Sequence, residues 1–460
     1  MFRRREAQQL LSSALAVVSV ALGLVWRTPV RAEEAGGDCC ADLESRVSDL
    51  EAATAQKGNS IVSVTVYGLL NRAVLFWDDG HERSTYVVDN YYAASRFGFK
   101  GSAKIGGNWS AGYQLEAESR NAASDRVNQF DDDNANDPQG PMHVRQSNMY
   151  LANKVWGQLR WGLTNTPTYN VTKDTNVSDL QDTMDSDNKM NRSFFLRPSG
   201  FNSAEGLSTL KWSDISRCYN AANAFGCSGR RSGVAYWSPE WAGFTLSVGY
   251  FDDTWGAALR YQKKWGETFE VGAGIGYEKI FGAGANAGLT DIDETAGSAS
   301  IKHLPTGLYA FSAFSISDNH SPNTLDAGVF TGTSDPQMTA WDAQIGIQRK
   351  VPWLSLDRFG ETSFFGGFVN IHDGLGGVPA NRLIGAGTFA NVPINTEITG
   401  SDVDKWYLGF DQALDSANMH LYAVFEHLTP EVSLVDQNLQ HVSAPLDDFT
   451  LFYTGARIYF

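Results

Sequence analysis

Between Phe269 and Lys279 the chain reads FEVGAGIGYEK, and its side chains change character at every step. Phe269, Val271, Ala273, Ile275 and Tyr277 fall on one face of an extended segment, and Glu270, Gly272, Gly274, Gly276 and Glu278 fall on the other. A period of two is the mark of a β-strand with one apolar face. The same period recurs from Ile61 to the end of the chain. Two all-β solutions accommodate it. A soluble sandwich buries the apolar faces between two sheets. A membrane barrel turns them to lipid and keeps the polar faces toward water. Alternation alone does not separate these two.

Strand number and connection length do. The pattern predicts sixteen strands, at about 61–77, 93–104, 109–119, 143–154, 157–164, 231–238, 243–251, 254–264, 268–280, 295–304, 307–317, 338–350, 361–373, 402–413, 417–428 and 447–460, with ends good to about two to four residues. Most are near the roughly 9–11 residues that cross a bilayer at a tilt. Short turns at Ile105–Asn108, Val155–Trp156, Pro239–Ala242, Trp265–Glu267 and Asp415–Ser416 alternate with long segments such as 120–142, 165–230, 318–337 and 374–401. Short turns on one side and long loops on the other mark an outer-membrane barrel, and an even strand number leaves both termini on the short-turn side. The connection near 251–254 is shorter than that scheme expects of an outer loop. Trp109, Trp156, Trp161, Trp241, Trp255, Trp265 and Trp406 fall at or near predicted strand ends, where an amphipathic ring suits the boundary between hydrocarbon and water. At the C-terminus, Ala456, Ile458 and Phe460 share one face, as a lipid-facing closing strand requires.

Charge and hydropathy agree with this reading once the fold is considered. Asp and Glu outnumber Lys and Arg by 52 to 36, for a net charge of −16. Such a balance repels phosphates and argues against nucleic acid as a partner. The mean hydropathy of −0.27 is that of a soluble protein, but barrel strands need only one apolar face. Outside the N-terminus no run of 18 apolar residues offers a spanning helix. Residues 1–32 read as a secretory signal: Arg3, Arg4 and Arg5 precede the apolar stretch Leu10–Val25, and Val30-Arg31-Ala32 suits cleavage before Glu33. A membrane anchor helix is the alternative. Export makes disulfides permissible. Cys218 and Cys227, in SRCYNAANAFGCSG, are expected to close a loop. Cys39 and Cys40 are adjacent, which does not suit zinc; links between protomers and free thiols both remain open. Residues 33–60 form a linker in which Leu43, Val47, Leu50 and Thr54 make a short heptad stripe, with a lone amphipathic helix or a flexible linker as alternatives. Residues 61–460 are the barrel.

Several segments resemble the trimeric general bacterial porins, the sixteen-stranded outer-membrane porins of Gram-negative bacteria. SRFGFKGSAKIGGNWSAGYQLEAES at 95–119 is similar to their second and third strands. VWGQLRWGLTNTPTY at 155–169 is similar to the fifth strand entering loop three, and VAYWSPEWAGFTLSVGY at 234–250 to strand six, its turn and strand seven. The terminal Phe460, which closes the barrel, matches too. A helical segment ahead of the barrel resembles porins of alphaproteobacterial type. The resemblance implies a homotrimer in the outer membrane, in contact with lipid and lipopolysaccharide. It also implies that loop three, here about 165–230, folds into the pore and sets loop carboxylates against basic side chains on the wall. Arg96 and Arg145 match two wall arginines; Trp237 stands where a third is expected.

Strand phasing turns Arg96, Lys100, Arg160, Arg260 and Lys264 to the lumen, where charge avoids the roughly 2–4 kcal/mol it costs at mid-bilayer on the lipid face. The lumen-facing glycines at 272–276 leave room for loop three. That loop supplies Asp174, Asp179, Asp182, Asp185 and Asp187. Opposed rings of charge favour polar, oriented solutes. In the second loop Asp131, Asp133 and Asp137 offer oxygen ligands for a divalent cation; a solvated acidic loop is the plainer reading. Catalytic signals are absent: there is no HExxH, no GxSxG and no Cys/His metal spacing, and His420 with Glu426 lacks a serine motif. No cofactor is expected. The expected function is passive diffusion of small hydrophilic solutes and ions, with the acidic balance favouring cations. A substrate-specific channel for dicarboxylates or sugars, a structural or adhesive surface barrel, and a secreted β-enzyme are the alternatives.

Overall fold

The structure, a computed structural model, describes residues 62–134, 140–199, 210–216, 229–281, 291–319, 337–350, 359–374, 397–435, 438, 440–442 and 445–460. The signal segment, the heptad stripe, Asp137 and all four cysteines lie outside the described residues.

The strands are β1 (Thr65–Asp78), β2 (Arg83–Asp89), β3 (Arg96–Gly106), β4 (Trp109–Ser119), β5 (Met142–Asn153), β6 (Gly157–Asn165), β7 (Arg230–Trp237), β8 (Phe244–Phe251), β9 (Thr254–Trp265), β10 (Phe269–Phe281), β11 (Asp291–His303), β12 (Leu308–Asn319), β13 (Gln337–Arg349), β14 (Thr362–His372), β15 (Glu397–Leu414), β16 (Met419–Val435), β17 (His441–Val442) and β18 (Phe449–Tyr459). Each pairs antiparallel with its neighbours, and β18 returns to β1 from Leu69↔Tyr459 to Asp78↔Thr450. The backbone of Phe460 exchanges hydrogen bonds with Gly68 at 3.1 and 2.9 Å. The barrel is therefore closed and has no free edge.

Sixteen wall positions hold these strands, because two positions are shared. Against β1, the outer part of one position is β2 and the inner part is β3. Against β16, β17 and β18 divide another. The expected pair 61–77 and 93–104 missed this arrangement. The reason lies in Asn90–Ser95, which leave the ladder and turn inward. Asn71 Nδ2 donates to the carbonyls of Asn90 and Ala93 at 3.4 and 3.1 Å, and Ser95 N donates to Asp89 Oδ1 at 2.9 Å. Buried polar groups satisfied this way make a stable interruption. A short turn at Asp252-Asp253 joins β8 to β9, so one connection on the long-loop side is tight.

Alternation sorts the side chains as the period of two demands. Leu70, Phe99, Leu115, Met149, Leu259, Ile275, Ile345, Phe364 and Leu408 lie exposed on the outer face. Trp109, Trp156, Trp241 and Trp265 stand exposed at the short-turn rim, the position expected of an interfacial belt. Among the described residues no helix is long and apolar enough to cross a membrane; the strands do so instead.

Candidate functional site: the barrel interior and loop three

The described part of the loop between β6 and β7 runs inside the barrel, and small side chains on the wall make this possible. Gly272, Gly274 and Gly276 face inward from β10. A Cβ at Gly272 would stand 2.1 Å from Thr175 O, and one at Gly276 would stand 3.0 Å from Thr168 Cγ2. Glycine is what lets one backbone approach another so closely. Ser298 Oγ on β11 donates to Val171 O at 2.8 Å, and Ser300 Oγ donates to Thr175 O. Arg260 on β9 donates to Pro167 O and Tyr169 O at 3.0 and 2.8 Å and lies 3.7 Å from Asp174. It faces the lumen, as its phase predicts, and clamps the loop.

Further along, the loop is held by polar groups of the opposite wall. Ser186 Oγ donates to Asp342 on β13 at 2.7 Å. Lys405 on β15 donates to Ser186 O and Asp187 O at 3.3 and 3.1 Å. Arg457 on β18 donates to Thr183 Oγ1 at 3.1 Å, and the Tyr459 hydroxyl donates to Asp182 at 2.7 Å. The inward kink after β2 adds Tyr92, whose hydroxyl lies 3.0 Å from both Asp187 O and Glu426 Oε1. Farther along, the described loop joins an apolar core within the lumen. Phe194 lies 5.1 Å from both Trp77 and Phe449, ring centre to ring centre, and Trp212 lies 5.7 Å from Phe449. Leu180, Met184, Met190 and Leu196 are buried with them.

The five loop aspartates divide into two groups. Asp174 and Asp179 are exposed and Asp182 is half-buried. Asp185 and Asp187 are buried, which corrects the expectation that they line the constriction. Lys173 Nζ is 2.6 Å from Asp185 and 3.0 Å from Asp187, and Lys189 Nζ is 3.0 and 3.6 Å from the same pair. Burial opposes ionisation of Asp187, but the two ammonium groups overcome it and hold the carboxyl down at about 2. Asp174 reaches the cavity but is crowded by protein on its other sides, and that partial loss of solvent pushes it the other way, to about 6, with Arg260 offsetting the effect only in part.

The wall from β3 to β6 carries four of the remaining predicted cations, Arg96, Lys100, Arg145 and Arg160, and the fifth, Lys264, is on β9. Arg145 does not stand free: Glu118 accepts a hydrogen bond from it at 2.7 Å, and its Nε forms an ion pair with Glu116 at 2.6 Å. Arg96 donates to Ala94 O at 3.4 Å. Lys100 lies 5.0 Å over the Tyr67 ring. Arg160 lies between the rings of Tyr150 and Trp237, at 5.6 and 5.5 Å, and donates to Gln114 at 3.2 Å. Lys264 is exposed at the short-turn rim, 3.9 Å from Glu270. Across the barrel, a cavity of about 540 Å³ opens beneath loop three. Asp174, Asp179, Asp182, Glu361, Asp411 and Asp415 line it along with Lys350, Arg457 and His420. Tyr67, Gln114, Lys405, Asp411 and Arg457 escaped the sequence reading as interior residues, although the strand parity that placed Arg160 and Arg260 applies to them equally. In the second loop Asp131, Asp132 and Asp133 bring carboxylate oxygens within 4.8 Å of one another.

A closed antiparallel barrel with an apolar exterior, a charged interior and a loop folded within it defines a channel of the outer membrane. The chain matches the family model described as Gram-negative porin over residues 51–430, and it belongs to that family. It is an outer-membrane channel through which small hydrophilic solutes pass by diffusion. Among solved structures, the anion-selective porin from Comamonas acidovorans aligns with a TM-score of 0.51 at 15% identity, covering 87% of this chain and 100% of that one. The Salmonella typhi OmpF in its complex with daunomycin aligns with a TM-score of 0.49 at 12% identity, covering 88% and 99%. No curated protein sequence matches the chain significantly.

Proposed function

We propose that the protein works as a homotrimer of separate pores. In each pore, solutes pass between the cationic β3–β7 wall and the acidic face of loop three. The observation that carries this reading is the course of the loop. It is bonded to β9, β11, β13, β15 and β18, which leaves Arg96, Lys100 and Arg160 facing the remaining lumen. On this reading Asp174, Asp179 and Asp182, which line the cavity beneath the loop with Glu361, Asp411 and Asp415, supply the opposing charge. The field across such a gap orients polar solutes, and the surplus of acid over base favours cations. The apolar exterior suits outer-membrane lipid, with lipopolysaccharide around the long loops. Diffusion through such a pore needs no catalytic step.

The apolar core around Phe194 favours a second reading, a narrowed channel with a preferred substrate. Reversal potentials in a salt gradient, measured on protein crosslinked to its native oligomer, test the trimer and the ion preference, and saturation of the current by one solute would favour the second reading. Cation preference in a trimer is the expected result. Anion preference or a monomer contradicts the respective half of the proposal.

A further inference from the structure

The wall opposite loop three holds more than charge. Tyr67 and Tyr150 are large side chains on a strand face that also carries Gly98 and Gly112. A Cβ at Gly112 would stand 2.2 Å from Tyr150 Cζ, and one at Gly98 would stand 2.8 Å from Tyr67 Cζ. Both rings therefore lie down against the wall over glycine. Lys100 sits over the first ring, and Arg160 sits over the second and beside Trp237. Gln114 joins the two halves, donating to the Tyr67 hydroxyl at 2.8 Å and accepting from Arg160 at 3.2 Å. Glu116, the neighbouring carboxylate on this face, is engaged by Arg145 at 2.6 Å and by the Tyr67 hydroxyl at 2.9 Å.

The geometry points to a subsite for planar aromatic carboxylates on this wall, with Lys100 and Arg160 receiving the carboxylate and Trp237 stacking the ring. This deepens the diffusion reading and rests on it. A carboxylate suits a guanidinium whose fork is only partly used. An aromatic ring suits a face already flanked by Trp and Tyr, because offset stacking adds to simple burial. An aliphatic acid of the same charge and size gains the first interaction and not the second.

Single-channel current is recorded in potassium chloride with sodium benzoate or sodium cyclohexanecarboxylate added. Benzoate is expected to interrupt the current for about fivefold longer per event, the order that a stacking contribution gives. Trp237→Ala should abolish that difference while leaving the open channel conducting, and Arg160→Gln should shorten both kinds of event. Equal residence of the two acids in the wild-type channel overturns the subsite, as does a benzoate preference that survives Trp237→Ala. Absence of conductance in plain salt contradicts the channel reading itself and is distinguishable from either result.

Discussion

Asp174 and Asp187 lie in one loop and respond oppositely to their surroundings. Asp174, raised to about 6 by desolvation, is ionised at neutral pH and neutral below that value. Cation preference should therefore fall as the pH drops through about 6, and Asp174→Asn should flatten that part of the profile; reversal potentials at pH 7.5 and 5 check this. Asp187 is held at about 2, below the roughly 3.9 of an unfolded aspartate. Its contribution to stability is full above about 4 and is lost as the pH falls toward 2. Asp187→Asn leaves Lys173 and Lys189 buried with one carboxylate fewer. Breaking such a cluster costs about 3–5 kcal/mol. Loop three should then become protease-sensitive at neutral pH, with barrel circular dichroism unchanged. A sequence shows that Asp174 and Asp187 are acidic and that Lys173 and Lys189 are near them. It does not show which carboxylates turn toward the lysines and which toward water, because that depends on the loop's path.

At the level of elements, the period of two fixed the strand faces well. Arg160 and Arg260 lie on the inner face, and Leu259 and Ile275 on the outer, as their parity requires. The interrupted strand positions were not readable, since Asn90–Ser95 are held inward by Asn71 and Tyr422, remote in sequence. The glycine stripe of β10 was readable as room for the loop, and its close contacts with Thr168 and Thr175 give a direct test. Gly272→Val should push the loop off the wall at a cost of about 1–3 kcal/mol, raising conductance and exposing the loop to protease. Unchanged conductance would contradict the seating described here. Phe194→Ala removes the ring between Trp77 and Phe449 and should cost about 3–5 kcal/mol, seen as earlier thermal loss of near-ultraviolet circular dichroism.

On the scale of the whole molecule, two solvents explain the arrangement. Lipid outside selects the apolar face of every strand, and water inside tolerates the charges that pair with loop three. The mean hydropathy conceals this because the two faces cancel. The described part of loop three is packed like a small core, with buried apolar contacts, an internal ion-pair cluster and hydrogen bonds to several strands, so the aperture should be steady rather than gated by wholesale loop movement. A water-filled path beside that packed loop is what makes the barrel a channel. The most direct test is single-channel conductance of the detergent-extracted protein in a planar bilayer. Stable open steps arriving in groups of three are predicted. A correctly folded barrel that inserts and passes no ions would contradict the account.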